Sequence, residues 1–429
     1  MERLQIVIAI GMLLCLTAAC NVMSNEQNRD DQEEPNFEVT NDIEDRITYI
    51  NSKDKGTVTV SKNSNSFSLS AIAKIAPPSL GGTFSRATHL SFDDQNNQLH
   101  VGYKMFGVEY GGGIDIIELA QPASSNGGNL ISSLRSIASS NFDVQEVRFD
   151  ENEEALYVGG AVAVKKEDDS PARLVKVELN NSGNIIGQKT KKISGNVVKS
   201  IVSRYSPGKS STYVYAVNDL NDLHQFDANF GSEKELSAPD DVEFRSVAVR
   251  SASGQVFTLD RSGIVRRTNE SAFNKFKETI SLLPGEQLGN ELSIARLQIL
   301  NSQTGSDLLI AALNENGFSI LNSTGSTVWN SQESLNDENY LSVTAHESST
   351  PGNSGSDRIY TARAGGVIDV FDVPNNFRSK GLKKVGSFNL ADVNGINLSG
   401  AQVNQILVHG DYLYVANSSD GVVILKVKN

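Results

Sequence analysis

The side chains best equipped for covalent or metal chemistry are few in this chain and scattered along it. Its five histidines are His89, His100, His224, His346 and His409. None lies two or four residues from another, so zinc has no local ligand signature and each reads as a strand or turn residue. The acidic strings Asp93-Asp94-Gln95-Asn96-Asn97 and Asp150-Glu151-Asn152-Glu153-Glu154 carry oxygen ligands without the order of an EF-hand calcium loop. Gly111-Gly112-Gly113 is followed by neither a helical pattern nor Gly-Lys-Ser/Thr, which excludes a phosphate loop. What remains is binding chemistry carried by turns. Residues 103–110 read Tyr-Lys-Met-Phe-Gly-Val-Glu-Tyr, and further charges fall in equivalent turns downstream. Tyr, Phe, Met and Arg are the types enriched at protein interfaces. The expected binding face comprises Tyr103, Lys104, Phe106, Tyr110, Lys165, Asp260, Arg261, Arg363 and Asp420. No catalytic residue, cofactor or metal is expected there.

Those turns need strands to hold them apart. Residues 403–427, VNQILVHGDYLYVANSSDGVVILKV, are three short strands in a meander: an apolar β-branched run, a turn at His409-Gly410-Asp411, an alternating run, a turn at Ser418–Gly421, and a closing run. The unit recurs seven times. Its first strands are THLSF, QEVRF, KSIV, RSVAV, ARLQI, LSVTA and NQILV, with anchors Leu90, Val147, Ile201, Val247, Leu297, Val343 and Ile406, 46 to 63 residues apart. Second strands of the type LYV follow each. A glycine opens the third strand in five copies, at Gly113, Gly263, Gly317, Gly366 and Gly421, where a tight turn needs a residue tolerant of positive φ. Fourth strands are fainter. Segments from Ile185, Lys275, Ser326 and Lys383 fit exposed outer edges, with lysines in all but the third. Residues 129–137 and 272–283 fit helical spacing as well, and are read as strands. The last copy stops after three strands, and residues 67–76, FSLSAIAKIA, can supply its fourth. Period and strand count predict an all-β, seven-bladed β-propeller over residues 56–429, with the N-terminal strand closing the last blade.

The repeats resemble those of bacterial propellers with LVIVD-type or YVTN-type repeats, in which LYVA, a short turn and GVVILKV-like or GVIDVFDV strands recur. This resemblance implies the fold over residues 56–429 and leaves the activity open, because propellers of this kind host many roles. Other propeller chemistries lack their marks. The nearest match to a sialidase Asp-box lacks its aspartate spacing, and the single tryptophan, Trp329, argues against propellers that repeat one in every blade.

The N-terminus gives an address. Glu2 and Arg3, the apolar run LQIVIAIGMLLCL and the small residues Thr17, Ala18 and Ala19 have the layout of a secretory signal. The segment LTAAC resembles the lipobox of bacterial lipoproteins, which implies a signal peptide over 1–19 and acylation of Cys20. Cys15 would leave with the signal, so the mature chain could form no internal disulfide. Residues 20–55 read as a disordered acidic tether; between Glu26 and Arg46 nine acidic residues face two arginines, a net of −7. That is about half of the formal −13, so nucleic acid is a poor partner. The expectation is a lipid-anchored envelope or cell-surface propeller that binds a protein or glycan without catalysis. The alternative is a propeller enzyme, a hydrolase, lyase or lactonase, with a divalent metal in its channel.

Overall fold

Short β-branched and aromatic runs separated by tight turns fold seven times into antiparallel four-stranded sheets, arranged as a seven-bladed propeller. The computed structural model describes residues 34–40, 44–51, 57–60, 67–80, 83–105, 110–120, 130–164, 169–180, 183–239, 241–282, 296–300, 308–314, 316–322, 327–331, 340–346, 357–373, 381–396 and 403–428. Strands within a blade are called A to D outward from the centre. The A strands are Thr83–Asp93, Phe142–Asp150, Val198–Ser206, Phe244–Arg250, Arg296–Leu300, Tyr340–His346 and Gln405–His409. Each packs against the A strand of the next blade, and the seventh packs against the first, so the ring is closed. All seven anchor residues are buried.

The core lies between blades rather than inside any one of them. Ile114, Ile116 and Ile137 of blade 1 pack on Phe142, Val144, Val147 and Val158 of blade 2. A middle strand is therefore covered on both faces, which is why Ala155–Val162 is buried at every position. Outer strands are covered on one side only, and Ile185–Lys192 is partly exposed along its length with its lysines on the edge. Both segments that fit helical spacing contribute D strands, Ile131–Ser139 and Glu278–Ser281, because each completes the ladder of the strand inside it. Helices there would leave those ladders unpaired.

Closure follows the expected route. Phe67–Ile75 pairs antiparallel with Val422–Lys428 as the fourth strand of blade 7, and its alternate residues are buried and half-buried in strict period two. Strands are also found N-terminal to residue 56. Ile47–Tyr49 adds to the outer side of Phe67–Ile75, while Glu38–Thr40 adds to the outer edge of blade 1. Part of the stretch expected to be a disordered tether is thus a strap across blades 7 and 1. Arg46 pins it: its guanidinium pairs with the buried carboxylate of Asp115 and donates to Ser136 Oγ (2.6 Å) and the Ala76 carbonyl (2.8 Å). Phe37 then meets Phe142 of blade 2 edge to face, at 5.8 Å. Acidic composition argued for disorder, but these few apolar and pairing residues find partners only on the assembled ring.

Two local devices recur. Gly263, Gly317, Gly366 and Gly421 have φ of +66° to +79° at their B–C turns, as expected. In blade 1 the role moves: Gly113 lies within the strand Gly112–Leu119, and Gly111 takes the positive φ. The second device is a bulge in the A strand, between Ala87 and His89, Val144 and Glu146, Val198 and Ser200, Phe244 and Ser246, and Tyr340 and Ser342. In these five blades the bulge sits immediately before the residue that precedes the anchor. Bulges of this sort re-aim side chains.

Candidate binding face and central channel

The described members of the expected binding face lie at B–C turns or the strand ends beside them, but most are committed to neighbours. Tyr103 is the clearest departure. The B strand of blade 1 runs on to Met105, so period two carries Leu99, Val101 and Tyr103 into the core shared with blade 7. Tyr103 is fully buried and is no loop anchor. Burial and then the Asp115 carboxylate push its hydroxyl well above its ordinary pKa. Tyr110 is half-buried at the end of the turn. Phe106, Lys165 and Cys20 lie outside the described residues.

The charged candidates work mainly as clamps. Lys104 Nζ is 3.0 Å from Asp143 Oδ2 on the A strand of blade 2, and Asp143 Oδ1 accepts from the Gly111 N–H at 3.0 Å. One carboxylate thereby ties both ends of the blade-1 turn to the next blade. Burial raises the pKa of Asp143 against the pull of Lys104. Asp260 is buried, accepts from Ser262 and Ile264 N–H (2.9 Å each) and pairs with Arg266, so it builds its own turn. Arg261 reaches Glu243 at 3.5 Å, and the same Glu243 holds Arg245 at 3.1 Å. Arg363 Nε is 2.7 Å from the buried Asp369, and Asp420 is 2.9 Å from Lys74 of the closing strand. On the same face, Leu220 at the B–C turn of blade 3 stands 43% exposed. Lys199, at the blade-3 bulge, is driven down in pKa by burial and then by Arg245. Sequence reasoning did not single out Lys199, Leu220, Glu243 or Arg245.

A second set of residues, also missed, converges on the axis. The position before each anchor is occupied by His89, Glu146, Ser200, Ser246, Arg296, Ser342 and Gln405, polar in every blade. These side chains stitch the inner wall from blade to blade. Ser200 Oγ accepts from Val247 N–H (3.2 Å), Ser246 Oγ from Leu297 N–H (3.1 Å), Ser342 Oγ from Ile406 N–H (3.2 Å) and Gln405 Oε1 from Leu90 N–H (2.5 Å). Glu146 accepts from the Ile201 backbone in the same sense. Each link satisfies an inner-edge donor that no further strand can reach. Aligning the first strands displays this polar column directly, which is the signal that could have found it.

Glu146 is the electrostatic centre of the ring. His89 Nε2 lies 3.2 Å from Oε1, Ser200 Oγ donates to Oε1 at 3.3 Å, and Arg296 reaches across from blade 5 to Oε2 at 3.4 Å and to the Thr88 carbonyl at 3.2 Å. Burial alone would raise the Glu146 pKa, but His89 and Arg296 hold it below the usual carboxylate range. His89 is shifted down, because burial outweighs the attraction of Glu146. A divalent metal fits poorly here: among the described residues His89 and Glu146 are the only imidazole and carboxylate lining the cavity, and both face Arg296. Among the described residues the one grouping with metal-ligand character is Asp222, His224 and Glu235, on the outer half of blade 3. Asp222 is engaged with Ser194 and Ser237, and His224 with Glu233.

Compared with protein-family models and with curated proteins, the chain matches none, and what its structure shows is a seven-bladed β-propeller.

Proposed function

We propose that the protein is a lipid-anchored binding module of the bacterial envelope or cell surface, non-enzymatic, gripping a protein or glycan through its B–C-turn face. The observation that supports this reading is the clamping of that face. Lys104–Asp143, Arg261–Glu243, Arg363–Asp369 and Lys74–Asp420 fix turns from blades 1, 4, 6 and 7 to their own or adjoining strands. Such a surface is organised before a partner arrives, which lowers the entropic cost of binding. Tyr110 and Leu220 lie at its rim together with Arg261, whose side chain stays 37% exposed beside Glu243. The lipid anchor would be carried by Cys20, and two or more acyl chains would hold it durably at about 0.8 kcal/mol per buried CH₂.

Two measurements test the reading together. Labelled palmitate should enter the wild-type protein and not Cys20→Ala, which should leave the membrane fraction. Crosslinking capture from the native envelope should then be compared between wild type and Tyr110→Ser/Leu220→Ser/Arg261→Ala. The triple variant should melt close to wild type, since surface changes usually stay within about 0.5 kcal/mol each. Capture should fall about tenfold or more, because aromatic and arginine anchors dominate interfaces. Unchanged capture of the same partner would remove this face from the site, and an unlabelled Cys20 would remove the anchor.

A further inference from the structure

The inner wall encloses a cavity of about 190 Å³ lined by A strands of all seven blades. It runs from the polar ring towards the A–B hairpins, where Arg148 and Ser251 contribute to its wall. At roughly 30 Å³ per water it has room for about six waters, less than a drug-sized ligand needs. Its hydrogen-bonding capacity is one-sided. Glu146, its one carboxylate, is already engaged by His89, Ser200 and Arg296. Donors remain in excess. Arg296 Nε is buried without a hydrogen-bond partner. Ser246 and Ser342 use their oxygens to accept backbone N–H groups, which leaves each hydroxyl proton for a guest.

Arg148 completes the picture. Its side chain is exposed to water although the blades surround it, as befits a group in a lumen. It feels the charges of Glu146 and Asp150, yet among the described residues its guanidinium makes no hydrogen bond or ion pair. Asp150 turns its Oδ1 to the N–H groups of Asn152 and Glu153 at 3.0 and 3.1 Å. Among the described lining residues two guanidiniums, Arg148 and Arg296, face one carboxylate, Glu146, while the nearby Asp150 spends its Oδ1 on its own turn, so the lining itself carries one more guanidinium than carboxylates.

We propose that the central channel is a binding site for a small monoanionic carboxylate, anchored on the Arg148 guanidinium and completed by hydroxyl donors from Ser246 and Ser342. The planar fork of an arginine matches the two oxygens of a carboxylate, and a single surplus charge suits a monoanion better than a phosphate dianion. The guest is a free small acid or an acidic sugar. The site lies on the axis rather than on the turn face, so it stands whether or not that face holds a partner.

Calorimetric titration of the full-length protein in detergent with lactate, glucuronate and inorganic phosphate tests this. Lactate or glucuronate should bind saturably at one site per chain. Arg148→Gln should weaken binding about tenfold or more. Ser246→Ala/Ser342→Ala should weaken it by a smaller factor, and added salt should weaken it further. Tighter binding of glucuronate assigns the source to an acidic sugar, tighter binding of lactate to a free acid. No saturable carboxylate binding up to about 50 mM, phosphate binding more tightly than either acid, or an unaffected Arg148→Gln variant would each overturn the proposal. A wild-type readout guards against a variant that misfolds. Phenylglyoxal labelling of Arg148, mapped by mass spectrometry, should be suppressed by the carboxylate that binds; labelling unaltered by either acid overturns the site.

Discussion

Acid should destabilise this propeller through His100, by an amount that can be worked out in advance. The ring sits on the B strand of blade 1 between Ser91 and Ile116 of the flanking strands, stacks on Phe149 at 5.0 Å, and has no partner at either nitrogen. Burial lowers its pKa to about 4, with the Asp93 carboxylate pulling the other way. In the unfolded chain the ordinary value is about 6.5. Between these two values the unfolded state holds a proton that the folded state does not, so stability falls as pH drops through that window. At pH 4.5 the loss from this one residue is about 2.5 kcal/mol, and above pH 7 it is close to zero, about 0.1 kcal/mol. Urea unfolding at pH 7.5 and 4.5 should be compared for wild type and His100→Phe. The variant should lose about 2.5 kcal/mol less between the two conditions. A packing penalty from the phenyl ring does not depend on pH and cancels, as do the shared contributions of His89 and the carboxylates. Equal losses in the two proteins would refute the reasoning, since the imidazole would then protonate in place without unfolding.

Two further outcomes concern the architecture. Deleting Phe67–Ile75 should open the ring, because the buried strand Val422–Lys428 loses its ladder and Glu38–Thr40 alone cannot bridge blades 7 and 1; a deletion protein that melts like the parent would show that closure is made elsewhere. Tyr103→Ser should cost about 3–5 kcal/mol, the range for emptying a buried aromatic site, while Tyr103→Phe should cost far less because it keeps the ring that fills the core. Thermal melts of the two variants decide this, and a serine variant as stable as wild type would return Tyr103 to the surface.

The parts of the fold legible in the sequence are those governed within a few residues. Period-two alternation in Phe67–Ile75 reports a half-covered strand wherever it occurs, and the pattern survives intact in the structure. Gly263, Gly317, Gly366 and Gly421 mark turns because a positive φ is a property of one residue. The lysines of Ile185–Lys192 mark an outer edge for a similar reason, since an unpaired ladder is a hazard whatever lies behind it. The strap was misread because composition averages over a window. Within a stretch of high negative charge, Arg46 and Phe37 are decisive, and each gains its partner only from blades far along the chain.

The site was legible in type and not in arrangement. Turn charges on Lys104, Arg261, Arg363 and Asp420 could be located from the strand–turn pattern, but each is engaged by a side chain from another strand, which sequence spacing does not reveal. Tyr103 looked like a turn residue because the strand end cannot be fixed to better than a few positions, and one step of alternation decides between core and solvent. The channel depends most on closure. His89, Glu146 and Arg296 belong to blades 1, 2 and 5, and they meet only because seven A strands converge on one axis, so a column that reads as ordinary strand polarity becomes a charged ring. By itself the sequence determined the strands, the turns and the means of closing the ring, since local sterics and the partition of side chains from water act over a few residues. Only the closed tertiary structure decided which polar groups face one another, because their pairing is a property of blades brought together and of the water excluded between them.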